Sequence, residues 1–463
     1  MSGSMMTLGL AAELMGARLS GGRAETGVTG VSTDSRTLTA GQLFFALGGP
    51  NFDGHEHVAA AALAGACAAV VAREVDAGLP QLRVDDVLAA LQACAGGWRR
   101  RFELPLIGIT GSNGKTTVKQ LLTAILGRAG DVLATIGNLN NHIGVPLTLS
   151  RLAANHRHAV VEMGANHAGE IRALARIAAP THGLVTNAGD AHLEGFGDRA
   201  GVAQAKGELF AELGDRGTAI INADDAYASL WLRLAGNARI VRFGRAENAD
   251  VRLIAARPTP GEAAQRVELR IGGSERVVAL PLPGEHNARN AAAAAAAAFS
   301  LGLPEQLIVD GLEAAVGAGG RSAVQRIGGI RLIDDAYNAN PDSVRAAIDL
   351  LAGYGPRRWL VLGDMAELGA DAERLHAELG EYARERGIEH LLACGGLVAG
   401  TARRFGAGGE ALDTPTAAVD RLVGQLREGD TVLVKGSRSA RMERVVEALR
   451  RALDEPGERH DAV

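Results

Sequence analysis

The sequence predicts a three-domain α/β protein: a small N-terminal α/β module, a central parallel-sheet domain with a glycine-rich loop, and a C-terminal Rossmann-like α/β domain. Three observations lead there. The chain has 463 residues, enough for about three domains at roughly 150 residues each. From Leu106 onward, short apolar runs alternate with amphipathic helical patterns, the beat of a parallel sheet with covered faces. One of those runs ends in a glycine-rich turn that opens a helix.

Residues 1–104 carry short β-like runs at 28–31 and 43–47 and an alanine-rich helix near 58–66. A second helix is expected from Asp85, read as its N-cap, to about 101. That is too little strand for a doubly wound sheet, so a small module is expected. Residues 105–319 form the central domain. The run 106–110 is apolar on both faces, as a buried parallel strand should be. The helix 117–126 follows, with Val118, Leu121, Leu122 and Ile125 at helical spacing. Strand and helix then alternate through 159–163 and 170–177, 183–186 and 202–213, and 219–222. Runs 267–271 and 276–280, joined through Gly272-Gly273-Ser274, read as an inserted hairpin. The alanines 291–298 read as a helix that lies close on a sheet, since alanine is the strongest helix former and has little bulk. Residues 320–463 carry strands at 330–333, 359–362, 390–393 and 431–434, each followed by a helical pattern and without a GxGxxG turn.

Composition narrows the class. Apolar residues make up 47% and charged residues 22%, which excludes an intrinsically disordered chain. With 48 Lys+Arg against 53 Asp+Glu the net charge is −5, so nucleic acid, which needs a dense basic face, is not expected as a partner. Cys67, Cys94 and Cys394 are odd in number and form no CxxC pair, so reduced core thiols are expected. No apolar run approaches the roughly 20 residues of a membrane span. Residues 1–10 lack a basic segment followed by an apolar one. A cytoplasmic protein is expected.

The sharpest local signal is Gly111-Ser112-Asn113-Gly114-Lys115-Thr116-Thr117, between a buried strand and a helix. Such glycines let backbone N–H groups turn toward phosphates, and the helix N-terminus adds partial positive charge. Lys115 would bridge the outer phosphates, and the Thr116 hydroxyl would hold Mg²⁺. The full GxxxxGK[ST] spacing is absent, because Ile109 stands five residues before Gly114; the loop is a shorter GxxGKT. The central domain is accordingly expected to be P-loop ATPase-like. Open α/β sheets place ligands at strand ends. There Glu162 is a natural Mg²⁺ ligand or a plain helix cap, and His192 is a candidate ligand on the phosphate-loop side. Lys206, in the helix 202–213, reads on spacing alone as a lysine snorkelling to solvent. The amide-rich loop Gly137 to Pro146, with Asn141, suits hydrogen bonds to a polar or phosphorylated ligand, and equally suits tight turns.

Together these segments resemble the Mur ligases, the ATP-dependent amide-forming enzymes of peptidoglycan precursor synthesis. The matching residues run in order through 110–117, Asn141 to Pro146, Glu162, His192, Lys206, Gly284 to Asn290, Gly320-Arg321 and Asp334-Asp335. Four more segments resemble the MurF type within that family: Ser32-Thr33-Asp34-Ser35-Arg36 with Phe52 to His55, 334–343 (DDAYNANPDS), 363–369 (GDMAELG) and 435–443 (KGSRSARME). The first of them is shared with the diamino-acid-adding MurE type, whose DNPR segment is missing here.

The resemblance implies that ATP binds between the central and C-terminal domains. Gly111 to Thr117 would hold the phosphates, with Lys115 catalytic. Thr116 and Glu162 would serve one Mg²⁺, and His192 and Lys206, the latter as its carbamate, a second. That reverses the snorkelling reading of Lys206. Asn287 and Asn290 would lie on the adenine side, Arg321 at the γ-phosphate and Asp335 at the ribose. Ser32, Asp34, Ser35 and Arg36, with Asn51, Asp53 and His55, would contact the UDP-sugar. The implied reaction phosphorylates the terminal carboxylate of UDP-N-acetylmuramoyl-tripeptide, after which the amine of D-alanyl-D-alanine expels phosphate. These small molecules are the expected partners of a monomer. A folate polyglutamate ligase would lack the Ser32 to Arg36 module, and a simple phosphate-loop ATPase would leave Lys206 and the third domain unexplained.

Overall fold

The computed structural model describes residues 4–259 and 262–454 and contains three main sheets. The first has five strands, in the spatial order Arg18–Ser20, Gln81–Arg83, Ala68–Val71, Gln42–Phe45, Gly30–Ser32. The helix Val87–Arg99 leads out of this unit. Its N-cap is Asp86, not Asp85: the Asp86 carboxylate accepts the N–H groups of Leu88 at 2.8 Å and Ala89 at 3.0 Å. The expected helix at 58–66 is shorter, Val58–Leu63.

The helix Val87–Arg99 ties the first unit to the central sheet. Its apolar face, with Leu91, Cys94 and Trp98, shares one core with Leu106, Val161, Ile171 and Leu209 of the central part. Trp98 Nε1 donates to the Leu152 carbonyl at 3.1 Å. Arg99, only 5% exposed, donates to the carbonyls of Ala178, Phe102, Leu104 and Ala179. A guanidinium with its donors spread over four carbonyls can stay charged in that core.

The central sheet has nine strands, in the order Val132–Ala134, His158–Glu162, Leu106–Thr110, His182–Val185, Thr218–Asn222, Arg239–Gly244, Val251–Pro258, Gln265–Ile271, Ser274–Leu280. The first seven run parallel. The last pairings are antiparallel, so the sheet is mixed where a parallel one was expected, and the hairpin extends its edge instead of standing apart. The cause lies in the side-chain pattern. Gln265–Ile271 alternates buried and more exposed positions, which suits an antiparallel ribbon with one wet face. Ala291 to Ala298 are all 1% exposed or less in the helix Glu285–Ser300, which lies on the sheet beside Lys115–Leu126.

The third sheet orders Ala323–Ile327, Ile330–Asp335, Thr431–Lys435, Arg358–Gly363, His390–Cys394, Gly409–Leu412, parallel except for its first pair. Two of these strands, Ala323–Ile327 and Gly409–Leu412, were not expected; both are edge strands with few fully buried residues. Among the described residues no helix is long and apolar enough to cross a membrane.

Candidate active site

The strand Leu106–Thr110 lies between His158–Glu162 on one side and His182–Val185 on the other, which is where the strand order reverses. Ligand crevices of open α/β sheets form at this point. The glycine-rich loop leaves the end of that strand, and its helix starts at Lys115, two residues earlier than its apolar spacing indicated. Gly114 has φ +83°, and a β-carbon there would collide with Asn290 Oδ1. Only glycine lets the loop and the Glu285–Ser300 helix approach this closely. Lys115 Nζ donates to the Gly111 carbonyl at 2.6 Å. Burial lowers its pKa to about 8, against the pull of the Glu162 carboxylate.

Register sets Glu162 opposite Ile109, next to the loop. Its Oε2 accepts the Thr116 hydroxyl at 3.0 Å, and its Oε1 the Asn140 amide at 2.8 Å. Burial would raise this carboxyl's pKa; the charges of Lys119 and Lys115, with the Asn140 hydrogen bond and the charge of Arg321, together outweigh burial and lower it. Asn141, by contrast, accepts the N–H groups of Ile143 and Gly144 at the start of the helix Gly144–Leu149, so its side chain serves the turn. Neighbouring amides in one loop thus face different ways, which sequence spacing does not reveal.

His192 sits at φ +55° before the short helix Leu193–Phe196, and its Nδ1 meets the Glu367 carboxylate of the third unit. Burial lowers the imidazole's pKa, with Glu367 opposing that shift. Lys206 is 1% exposed, which rules out the snorkelling that spacing alone favoured. Its ammonium lies 5.1 Å from the centre of the Phe196 ring and donates to the Ala165 carbonyl at 3.3 Å. Among the described residues no carboxylate pairs with it directly. Burial first, and then the charge of Lys115, lower its pKa to about 7.

A cleft of about 1290 Å³ runs from the phosphate loop and His192 to the third unit, while Glu162 and Lys206 are buried and do not line it. Ser112 to Thr117, His192, Asn287, Asn290, Arg321 and Asp335 all line it. Asn290 donates to Asn287 Oδ1 at 3.2 Å, and Asn287 is anchored on the Pro283 carbonyl at 2.8 Å. The Asp335 carboxylate is held by Lys435 Nζ at 2.6 Å and by the Ser322 N–H at 2.9 Å, which gives Lys435 a definite structural partner. The Arg321 guanidinium stacks 4.3 Å from the centre of the Tyr337 ring. Asn340 donates to Asn113 Oδ1 at 2.8 Å, and Asp342 faces Arg199 at 3.2 Å, so the third unit rests directly on the loop. Lys119, Asn140, Glu367, Tyr337, Asn340 and Asp342 are additions that the candidate residues above did not include. All except Lys119 lie in stretches already singled out, but which of their side chains turn inward depends on packing.

A second cleft, of about 890 Å³, opens between the first unit and the central sheet. Ser32 and Asp34 line it, with Trp98, Arg101 and Arg151. Asp34 is bidentate with the exposed Arg36, which pulls its pKa down to about 2. His55 and Asp53 are engaged within the first unit. His55 Nδ1 meets Asp53 at 2.6 Å, its Nε2 accepts the Ala72 N–H at 3.0 Å, and Asp53 also pairs with Arg73 at 2.7 Å. Ser35, Arg36, Asn51, Asp53 and His55 do not line this cleft.

Metal fit can be judged from the donors. Among the described residues no group of three or more His, Cys, Asp or Glu side chains converges to hold a metal ion. Mg²⁺ commonly takes only one or two protein oxygens and completes its shell with phosphates and water, which Thr116 and Glu162 match.

Three family descriptions match the chain: "Mur ligase family, catalytic domain" over residues 27–99, "Mur ligase middle domain" over 109–298, and "Mur ligase, glutamate ligase domain" over 320–438. The UDP-N-acetylmuramoyl-tripeptide–D-alanyl-D-alanine ligase of Escherichia coli K12 is 42% identical over 448 residues, covering 96% of this chain and 98% of that one. A crystal structure of MurF from Acinetobacter baumannii superposes with a TM-score of 0.90 at 34% identity, covering 96% of this chain and 99% of that one. MurF from Thermotoga maritima, solved in complex with ADP, superposes at 0.81 with 26% identity, covering 92% and 98%. With the phosphate loop, the inter-sheet cleft and near full-length likeness all in agreement, the chain belongs to the Mur ligase family, and within it to the MurF type.

Proposed function

We propose that this enzyme joins D-alanyl-D-alanine to UDP-N-acetylmuramoyl-tripeptide, with cleavage of ATP to ADP and phosphate, in the cleft between the central and third sheets. The observation that carries the proposal is Lys115 and His192 lining that cleft, with the desolvated Lys206 buried against Phe196 of the helix that follows His192, in a chain with near full-length MurF relatives. The nucleotide's phosphates lie on Gly111 to Thr117, with its adenine near Asn287 and Asn290 and its ribose near Asp335. Arg321 faces the γ-phosphate.

Lys115 gives up its bonds to the loop carbonyls and takes phosphate oxygens. A carboxylate oxygen of the tripeptide attacks the γ-phosphorus, and ADP leaves. The dipeptide's free amine then attacks the acyl carbon, and phosphate leaves from the tetrahedral adduct. Positive groups fixed before the reaction favour this crowding of negative charge. Thr116 with Glu162, and His192 with Lys206 as its carbamate, are suited to hold Mg²⁺, which would supply Lewis-acid neutralisation of the phosphates. Lys206 is suited to carbamate formation because CO₂ adds only to a neutral amine, and burial favours that form. The UDP-sugar enters the second cleft along Ser32 and Asp34, with the remaining residues of 32–36 and 51–55 shaping the first unit around it. We further propose domain boundaries at 104/105 and 319/320, a monomer, and a cytoplasmic location.

The test is phosphate release from ATP and Mg²⁺ with UDP-N-acetylmuramoyl-tripeptide, with and without D-alanyl-D-alanine. Release that requires the dipeptide and yields the amide product supports the reading. Release indifferent to every acceptor overturns it.

A further inference from the structure

Lys119 lies one helical turn beyond Lys115 and is 5% exposed, beside a Glu162 that is 2% exposed. Its Nζ stands 3.3 Å from Glu162 Oε2 and donates to the Gly137 carbonyl at 3.3 Å. The carboxylate is fixed on every side. Oε1 takes the Asn140 amide, Oε2 the Thr116 hydroxyl, and the backbone N–H of Glu162 donates to Thr135 Oγ1 at 2.9 Å. The oxygen nearest the phosphate-loop threonine is therefore the one that already holds an ammonium.

From this geometry we infer that Lys119 is a positioning residue, the resident counter-ion of Glu162, and that it makes divalent-cation binding depend on the nucleotide. The inference rests on the reading of Glu162 as a metal ligand. A cation approaching Oε2 in the protein alone meets the charge of Lys119, with Lys115 close behind, in a medium that screens poorly. The triphosphate brings compensating negative charge, so cation and nucleotide enter together. Without Lys119 the carboxylate loses its nearest resident cation, and a free metal ion can take that place.

The experiment measures Mn²⁺ binding to the full chain by electron paramagnetic resonance of the free ion, with and without a non-hydrolysable ATP analogue. Wild type and Lys119→Arg are expected to bind Mn²⁺ well only with the analogue. Lys119→Met, and Lys119→Gln as a second neutral variant, are expected to bind Mn²⁺ without nucleotide at least roughly ten-fold tighter than wild type, the scale on which groups next to metal ligands act. Equal nucleotide-free affinity in wild type and the neutral variants overturns the inference. So does loss of the folded state in both neutral variants, because Lys119 would then be needed for the fold itself. Glu162→Gln separates the two readings: if it leaves Mn²⁺ binding with the analogue unchanged, the metal-ligand reading has failed; if it weakens that binding while the Lys119 variants show no gain, only the inference has.

Discussion

His192 Nδ1 meets the carboxylate of Glu367 across the cleft, joining residues 175 positions apart and from different sheets. A carboxylate can only accept, so the contact sets the His192 proton on Nδ1, while burial favours the neutral imidazole against the pull of Glu367 and so suits Nε2 to act as a ligand. Both residues have positive φ, His192 at +55° and Glu367 at +62°, so each loop is shaped to present its side chain. Glu367→Ala should lower kcat/KM roughly 10- to 100-fold, with a thermal midpoint close to that of wild type. Steady-state kinetics beside a melting curve test this; an unchanged kcat/KM would remove Glu367 from the site.

Lys206 gives a pH signature. Its ordinary pKa of 10.5 falls to about 7 in the fold, so above pH 7 the unfolded chain binds more protons at this group than the folded one. Stability should therefore gain from this residue as pH rises from about 7 toward 10.5, and the penalty should be complete below 7. Thermal midpoints across that window should climb more steeply in wild type than in Lys206→Met. The variant should also lose ligation while still binding nucleotide.

Gly114→Ala should abolish nucleotide binding. The new methyl would meet Asn290 Oδ1 in a backbone conformation that alanine resists. Titration calorimetry with ADP checks this, and Gly169→Ala, with positive φ and open space around its β-carbon, serves as a control for backbone strain alone.

Asn140 and Asn141 should separate cleanly. Asn141→Ala removes the acceptor for Ile143 and Gly144 and should cost about 1 kcal/mol of stability with little direct effect on chemistry. Asn140→Ala frees Glu162 Oε1 and should lower kcat more than it lowers stability. Chemical denaturation and initial rates on both variants decide the assignment.

Arg99→Met should destabilise the chain by about 3 kcal/mol, because two buried and two part-buried carbonyls lose their donor. A drop in the urea midpoint, with the activity of the folded fraction unchanged, is the expected pattern.

By itself the sequence determined the parts whose physics is local. A buried strand followed by Gly111 to Thr116 can form little other than a phosphate loop, and the alanines 291–298 can form little other than a helix pressed on a sheet. Order and spacing likewise placed Glu162 and His192 at strand ends beside that loop. Tertiary structure decided what depends on burial and on partners distant in the chain. Spacing left Lys206 as a surface lysine; the core around Phe196 and Ala165 removed its water and lowered its pKa. Spacing did not distinguish Asn140 from Asn141, or bring Glu367 to His192, or show that Lys119 faces Glu162. The loop's conformation is set by a handful of adjacent dihedral angles, whereas the charge state and orientation of a buried group are set by everything packed against it.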